Sequence, residues 1–410
     1  MPELHSEPRP EITVRPGEVK ALYSTGWVAG IPGRINRLIQ LIDETELNAI
    51  VIDVKDDTGL LTYKSGVPLA GKIGASHEKV KDIGALLDTC YEKNIYPIAR
   101  IVVFKDPVLA SRRPDLAIKD ETGKLWRDRK GIAWADPTKR EVWEYNVEVA
   151  KEAARLGFKE IQFDYVRFPD EKSYKAISGH SEATRVDTIT RFLQYAKQQL
   201  APYKVAVSAD VFGLTCSATD DMGIGQKIEE IAGVVDYISP MVYPSHFASG
   251  SYGIEDPDAH PYETVKKSLS DGLGRIAGKG ALMRPWLQDF SLRRKYGPED
   301  VRIQIKVAHE LGIGTWMIWN PSSEFTALAL RQELPVLSSG PVAGPSPTSQ
   351  PSPCPEPKND TACGTVQGES PVSQPQDTVG QLPDATGPQA RPGDDPTHQP
   401  AGPGLAVPSP

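Results

Sequence analysis

Eight short apolar runs, separated by helical or long connecting segments, constrain the fold of this chain more than any other feature. Helical periodicity marks several of the intervening segments, at 35–42, 80–91, 184–200 and 298–311. Strands that alternate with helices form parallel sheets with right-handed crossovers. Eight strands within about 320 residues are typical of an α/β fold of the (β/α)8 TIM-barrel type. The predicted strands are 21–27, 49–54, 97–104, 160–165, 205–211, 236–243, 281–287 and 314–319.

An open doubly wound sheet is the alternative α/β arrangement. Such sheets usually carry a glycine-rich phosphate-binding turn after the first strand. The corresponding segment here, Gly-Trp-Val-Ala-Gly at 26–30, is not a dinucleotide-binding fingerprint. The barrel is therefore the favoured fold.

Composition divides the chain into three parts. Residues 338–410 are rich in Pro, Ser, Gly and Gln and lack long aliphatic runs, so they cannot bury enough apolar surface to offset their chain entropy. We predict an N-terminal arm at 1–19, a barrel domain at 20–337 and a disordered low-complexity tail at 338–410. The tail carries most of the net charge of −8, so the rest of the chain is close to neutral. It has no stripe of basic residues that could neutralise a phosphate backbone, and we expect no binding to nucleic acid.

Several other classes of function find no support in the sequence. Its four cysteines have no metal-site spacing, no motif calls for a cofactor, and we expect neither metal nor cofactor. No run of about 18 apolar residues is present, so we expect no transmembrane segment. Residues 1–20 lack the apolar core of a signal peptide. The cellular location and oligomeric state therefore stay open.

The fourth predicted strand ends on a carboxylate. In Glu-Ile-Gln-Phe-Asp-Tyr at 160–165, side chains alternate between two faces, so Ile161, Phe163 and Tyr165 face the helices while Asp164 faces the barrel axis. A helix that starts at Asp136-Pro137 and stops at Gly157 leads into this strand. Because the ends of barrel strands usually carry the chemistry, Asp164 is the first catalytic candidate.

Further acids, cations and aromatic rings stand at the other predicted strand ends. Flat aromatic faces beside paired acids suit sugar rings, and hydrolysis of a glycosidic bond needs two carboxyl groups. The catalytic candidates are Asp164, Asp210 and Asp289, and the substrate-binding candidates are Trp27, Asp53, Lys55, Arg100, Arg167, Tyr243, Trp286 and Trp319.

Each candidate also has a structural interpretation. A strand-end Asp is often a helix cap or a loop salt bridge, and Asp289 is out of phase with Trp286 and Gln288. Asp53 and Lys55 share one face and form an inner salt bridge in the simpler interpretation. The arginines then merely neutralise the acids, and the tryptophans belong to the core. His246 and His260 follow strand six and are within reach of the mouth, without indicating a metal site.

Four motifs carry a resemblance to a known family. They are Gly-Trp at 26–27, Ile-Asp-Val-Lys-Asp at 52–56, Phe-Asp-Tyr-Val-Arg-Phe-Pro at 163–169 and Tyr-Ile-Ser-Pro-Met-Val-Tyr-Pro at 237–244. From about residue 20 to about residue 337 the chain resembles the putative glycosyl hydrolase domain family, a bacterial TIM-barrel group formerly of unknown function. The resemblance implies a glycosidase-like barrel and export to the cell envelope or beyond.

The acids on strands four, five and seven are also similar to the pattern of alpha-amylase-like barrels. That likeness implies that Asp164 is the nucleophile, Asp210 the acid/base and Asp289 a transition-state stabiliser. The pattern has Glu on strand five, whereas this chain has the shorter Asp210.

The leading hypothesis is a glycoside hydrolase, retaining or inverting, that acts within an envelope or environmental polysaccharide. Asp164 is then the nucleophile or base and Asp210 the acid. The competing hypothesis is a non-catalytic carbohydrate-binding barrel that anchors or scaffolds at the cell envelope. A third is a different hydrolase or a lyase on the same scaffold, since fold does not dictate reaction.

Overall fold

The computed structural model describes residues 9–330, apart from the side chain of residue 176. Its strands form one closed, wholly parallel sheet in which β1 pairs with both β2 and β9, and β5 pairs with β6. The predicted TIM barrel is therefore confirmed. The predicted tail at 338–410 and residues 1–8 of the predicted arm lie outside the described residues.

Eight barrel positions are built from nine strands, since the seventh position is interrupted at Arg284-Pro285. Proline cannot donate to a sheet ladder, so the strand is continued only beyond it. The strands are β1 (Lys20–Ser24), β2 (Ala49–Lys55), β3 (Tyr96–Val102), β4 (Glu160–Asp164), β5 (Ala206–Phe212), β6 (Tyr237–Met241), β7 (Leu282–Met283), β8 (Trp286–Gln288) and β9 (Trp316–Trp319).

Eleven α-helices connect or flank these strands in the described part of the chain. They are α1 (Gly26–Ala29), α2 (Pro32–Asp43), α3 (Pro68–Ile73), α4 (Ile83–Glu92), α5 (Pro107–Arg112), α6 (Arg140–Leu156), α7 (Lys172–Ser178), α8 (Glu182–Leu200), α9 (Ile228–Ala232), α10 (Pro261–Ile276) and α11 (Pro298–Glu310). None of these described helices is both long enough and apolar enough to cross a membrane.

The helix before β4 starts later than its sequence signal indicates. Asp136 does not cap it but accepts hydrogen bonds from the backbone N–H of Thr138, at 2.9 Å, and from its hydroxyl, at 2.7 Å. Helix α6 therefore begins at Arg140. Its end is as predicted, because Gly157 adopts a φ of 113° that an L-residue rarely tolerates.

Strand alternation separates the apolar residues into two sets. Ile50, Ile161 and Phe163 face outward and pack beneath the helices. Tyr23, Val51, Ile98, Met317 and Trp319 belong to the second set, which fills the barrel interior. Strand β2 departs from strict alternation, since its register against β3 shifts between Asp53 and Lys55. This irregularity decides where those two polar side chains lie.

The floor of the barrel contains a sealed ion pair. Arg284 donates to both carboxylate oxygens of Glu160 at 2.7 Å, and both side chains are fully buried. Its other nitrogens donate to the hydroxyl of Thr315, at 2.8 Å, and to the backbone carbonyl of Pro16, at 2.6 Å. The pair therefore joins β4 and the seventh strand position to the N-terminal segment.

Residues 9–19 of the predicted arm pack against the barrel. Ile12 is buried in the interior cluster. Arg9 donates to Asp88 at 2.6 Å and to the carbonyl of Leu156 at 2.5 Å, and its guanidinium lies 5.0 Å above the ring of Tyr91. A Cβ on Gly157 would come within 2.1 Å of the guanidinium of Arg9, so a side chain here would displace Arg9 in addition to straining the backbone at a φ of 113°.

Candidate active site

A pocket opens at the carboxyl ends of the strands and is lined from β3, β4, β5, β6, β8 and β9. Its empty volume, including the open mouth, is about 410 Å³. Acids, cations and aromatic rings supply most of its wall, a composition found in small-ligand sites. The lining residues are Arg100, Asp164, Tyr165, Arg167, Asp210, Phe212, Met241, Tyr243, Trp286 and Trp319.

Asp164 ends β4 and is held by an arginine from the neighbouring strand. Arg100 donates to its Oδ2 from Nε at 2.9 Å and from Nη2 at 2.5 Å. The backbone N–H of Tyr165 donates to its Oδ1 at 2.5 Å. Tyr165 has a φ of 48°, so the chain leaves the strand abruptly and its ring lines the pocket. Asp164 is thus an oriented, ion-paired carboxylate.

The same arginine also contacts a second acid, on β2. Nη1 of Arg100 donates to Oδ1 of Asp53 at 2.6 Å, and the hydroxyl of Tyr23 donates to Oδ2 at 2.6 Å. Burial raises the pKa of Asp53 to about 6, although the charge of Arg100 opposes that rise. Burial and the charge of Asp53 raise the pKa of Tyr23, so this tyrosine remains a neutral donor. Arg100 lines the pocket and Asp53 does not, so Asp53 lies behind Arg100.

Asp210 has different surroundings from Asp164, although both line the pocket. The indole N–H of Trp286 donates to Oδ1 of Asp210 at 2.8 Å. Burial raises the pKa of Asp210 well above its usual range, and the negative charge of Asp164 adds to the effect. The positive charge of Arg100 and the hydrogen bond from Trp286 oppose it. Two acids in unlike settings are thus brought to one cavity.

Aromatic rings complete the pocket. Trp319 stacks on Tyr23, with ring centroids 3.9 Å apart, and meets Trp286 edge-on at 5.5 Å. Burial raises the pKa of Tyr243, so its hydroxyl keeps its proton. The guanidinium of Arg167 lies 4.6 Å from the ring centroid of Phe212. These faces suit the C–H faces of a sugar ring.

Lys55 lies away from this pocket, contrary to the expectation that it faces inward with Asp53. Because the register of β2 shifts between the two residues, Lys55 points toward the helices. There Nζ forms an ion pair with Asp106 at 2.6 Å and donates to Asn146, on α6, at 2.8 Å. Both members of the ion pair are fully buried. A period-two pattern cannot reveal such an irregularity.

Asp289 and Trp27 also lie outside the pocket wall. Asp289 accepts from the backbone N–H and the hydroxyl of Thr326, at 2.8 and 2.7 Å, and so holds the segment that follows β9. Trp27 lies on α1 and is half exposed, with its ring edge-on to His77. Lys79 lies 5.0 Å from its ring centroid.

The two histidines after β6 take structural positions. The ring of His246 packs edge-on against Tyr243 and Phe290. His260 precedes α10, and its Nδ1 lies 2.8 Å from the carbonyl of Asp256. Over the range 9–330, no group of three or more His, Cys, Asp or Glu side chains is arranged to hold a metal ion.

Three pocket residues were not expected from the sequence. Tyr165 has the same parity as the outward residues Ile161 and Phe163, and its left-handed backbone conformation explains its place at the mouth. Phe212 follows the predicted end of strand five, and Met241 carries no chemical signal. For Phe212, the one indication in the sequence was an aromatic residue directly after a predicted strand.

Comparison with protein families gives one match that spans most of the chain. The family described as "Putative glycosyl hydrolase domain" matches residues 21–325. No curated protein is similar enough to this chain to count as a match.

Solved structures include similar chains. A hypothetical protein from Ruminiclostridium thermocellum is 43% identical, with a TM-score of 0.43, over 46% of this chain and 97% of its own. The glycoside hydrolase domain of PgaB (BpsB) from Bordetella bronchiseptica is 13% identical, with a TM-score of 0.53, over 75% of this chain and 94% of its own. The alpha-galactosidase TtGalA from Thermus thermophilus, in complex with stachyose, is 14% identical, with a TM-score of 0.50, over 80% of this chain and 66% of its own. At such low identity, the last two likenesses concern the fold alone.

Proposed function

Since the chain belongs to the putative glycosyl hydrolase domain family, we propose that it is a glycoside hydrolase that cleaves a polysaccharide with Asp164 and Asp210. The observation that carries this proposal is that two carboxyl groups from neighbouring strands line one pocket in unlike electrostatic surroundings. Glycosidases need one protonated and one ionised carboxyl group, and unlike surroundings provide that division of roles.

Asp210 supplies the proton in this proposal. Its raised pKa keeps it neutral at a pH at which exposed carboxyl groups are ionised. It protonates the glycosidic oxygen while the bond to the anomeric carbon breaks, and the bonding electron pair leaves with that oxygen.

Asp164 supplies the negative charge. Its ion pair with Arg100 fixes its orientation and occupies both lone pairs of Oδ2, whereas Oδ1 accepts only from Tyr165 among the described residues and has one lone pair left. It stabilises the positive charge that develops on the sugar ring, either as nucleophile or as the base that activates water. Arg100 positions it, with Asp53 and Tyr23 behind.

The aromatic residues orient the sugar. Trp319, Tyr243 and Phe212 line the same pocket wall as the two acids. Stacking against C–H groups and hydrogen bonding to hydroxyl groups are the usual means by which proteins bind carbohydrate. Asp289, Lys55 and Trp27, which lie outside this wall, contribute indirectly in this proposal.

The test is the release of reducing ends from a panel of polysaccharides. We expect activity on at least one member, a loss of several orders of magnitude in Asp164→Asn, and a loss of about 10²–10⁴-fold in Asp210→Asn. Asp187→Asn is the matched control, since that side chain is 62% exposed on α8 and its ion-pair partner within the described residues is the exposed Arg191. Wild-type turnover in Asp164→Asn would remove this residue from the mechanism.

A non-catalytic carbohydrate-binding barrel is the second candidate. The observation that favours it is that Arg100 and Tyr165 engage both oxygens of Asp164, which leaves this carboxylate less available to attack. This alternative predicts that a glycan column retains the protein while no polysaccharide in the panel gains reducing ends. The Asp164→Asn variant would then bind with little change.

A further inference from the structure

The hydrogen bond between Trp286 and Asp210 has a fixed direction. An indole N–H is a donor only, whereas a neutral carboxyl group has one O–H donor and accepts best at its carbonyl oxygen. Oδ1 of Asp210, 2.8 Å from the indole nitrogen, must therefore be the acceptor in both protonation states. When Asp210 is neutral, its proton is favoured on Oδ2, because a carbonyl oxygen accepts from the indole better than a hydroxyl oxygen does.

Oδ2 is the oxygen left for the pocket. Asp210 lines the pocket, its Oδ1 is taken by Trp286, and no residue in the described range donates a hydrogen bond to Oδ2, so Oδ2 is the oxygen available to a ligand in the cavity. The backbone carbonyl of Asp210 is engaged separately, by the side-chain amide of Gln226 at 3.2 Å. The proton on Oδ2 thus faces the space where a substrate would lie.

Trp286 is itself held so that its N–H cannot turn away. It is buried on β8, with its backbone carbonyl accepting from Val242 at 3.2 Å. Its ring meets Trp319 edge-on at 5.5 Å and Tyr23 edge-on at 6.5 Å. Pro285 precedes it and supplies the carbonyl that accepts from Met317 at 2.9 Å, so the interrupted strand is still fastened to β9.

We propose that Trp286 is a positioning residue that fixes the acidic proton of Asp210 on Oδ2 and stabilises the carboxylate left after proton transfer. This inference rests on the proposed glycosidase function. During the reaction the proton moves from Oδ2 to the glycosidic oxygen, and the O–H electron pair stays on Asp210. The hydrogen bond from Trp286 strengthens as its acceptor becomes charged, so it stabilises the product of the transfer more than the reactant.

The proposed role of Trp286 depends on its indole N–H and is distinct from the packing of its ring. An apolar ring of the same shape would fill the space on β8 equally well, yet it would leave the proton free to occupy either oxygen. It would also withdraw a donor that lowers the pKa of Asp210. The distinguishing readout is therefore the titration of Asp210, which packing alone would not move.

The first test observes the indole directly, in the full chain labelled with ¹⁵N-tryptophan and ¹³C-carboxyl aspartate. We expect the N–H proton resonance of Trp286 to move downfield as Asp210 ionises, with the same apparent pKa as the carboxyl carbon. Asp210→Asn, which assigns the signal, should abolish that titration. An indole resonance that does not follow the ionisation of Asp210 overturns the proposal, whether or not any variant folds.

The second test removes the donor. Trp286→Phe keeps a planar apolar ring, and we expect the pKa of Asp210 to rise by about one further unit, because hydrogen bonds to charged groups are worth about 1.5–3 kcal/mol. Trp319→Phe is the control for this titration, since the indole nitrogen of Trp319 is buried and has no partner among the described residues. An equal pKa in Trp286→Phe and wild type overturns the proposal.

Failure of the proposed function gives a different pattern. The protein could cleave no polysaccharide in the panel while the indole resonance of Trp286 still follows the titration of Asp210. That result would support the hydrogen-bonded pair and would contradict only its use in glycoside cleavage. If the protein is active, Trp286→Phe should move the alkaline limb of the pH dependence of kcat upward by about one unit and lower kcat more than it raises KM. An unmoved alkaline limb contradicts the proposal.

Discussion

Oδ2 of Asp164 accepts two hydrogen bonds from one guanidinium, at 2.9 Å from Nε and 2.5 Å from Nη2 of Arg100. The remaining terminal nitrogen reaches Asp53 at 2.6 Å. One cation therefore compensates two buried carboxylates on two strands, and neither acid can lose it without cost. The flat fork of an arginine meets both acids, which the single ammonium group of a lysine could not do in the same geometry.

Replacing this cation should destabilise the barrel. We expect Arg100→Met to lower the free energy of unfolding in urea by about 3–5 kcal/mol, because a buried charge is left without its partner. Arg191→Met is the matched control, since Arg191 pairs with Asp187 while both are largely exposed, and its effect should stay within about 0.5 kcal/mol. Equal effects of the two substitutions would contradict the role of Arg100.

Asp53 should make stability depend on pH in a definite direction. Its pKa in the folded protein is about 6, above the ordinary 3.8, so the folded state binds more protons than the unfolded state between these values. The stability that Asp53 contributes is fully present below its ordinary pKa of 3.8 and is lost as the pH rises through its folded-state pKa of about 6. Asp53→Asn removes this titration. The unfolding free energy of the variant minus that of wild type should therefore increase by about 3 kcal/mol between about pH 3 and about pH 7. A difference independent of pH, measured by urea unfolding, would refute this.

Lys55 should matter for stability and not for chemistry. Lys55→Met leaves Asp106 buried without its cation, and we expect a loss of about 3–5 kcal/mol in unfolding free energy. Activity per folded molecule should be unchanged, since Lys55 lies outside the pocket. The double variant Lys55→Met/Asp106→Asn should recover part of the loss, because Asn can still cap α5 at Leu109. A fall in kcat without a fall in stability would place Lys55 in the chemistry after all.

Asp289 and Thr326 should behave as one unit. Asp289→Asn weakens both hydrogen bonds, whereas Thr326→Val removes the one from the hydroxyl and leaves the backbone N–H bond in place. We expect losses of about 1–2 kcal/mol in unfolding free energy, the larger one in Asp289→Asn. Their effects on kcat should be similar to each other and far smaller than that of Asp164→Asn. A loss of turnover specific to Asp289→Asn would indicate that this acid acts on the substrate directly, as the seventh-strand pattern implies.

The architecture could be predicted because it depends on regular patterns. The alternation of apolar strands and helices located all eight barrel positions, and the parity of β4 directed Asp164 toward the axis. Trp286 was placed near the mouth from its position on strand seven. These predictions succeeded because side-chain direction along a regular strand follows from counting alone.

The remaining features depend on irregular backbone, which counting cannot detect. The register shift in β2 turned Lys55 toward α6, and the left-handed conformation of Tyr165 brought a ring expected to face the helices into the pocket. The hydrogen bond from Trp286 to Asp210 joins residues 76 positions apart and requires three-dimensional proximity. Sequence periodicity carries no information on such pairings.

The docking of the arm by Arg9 has a practical consequence for anyone who trims this protein. Cutting at the first strand would remove Pro16, whose carbonyl accepts from Arg284, and would uncover the sealed Glu160–Arg284 pair to water. It would also remove Ile12 from the underside of the barrel and the Arg9 side chain that packs beside Gly157. We therefore expect the shortest fragment that keeps the native fold to begin before β1, within the N-terminal segment. The repeating pattern of strands and helices gives no indication of this starting point.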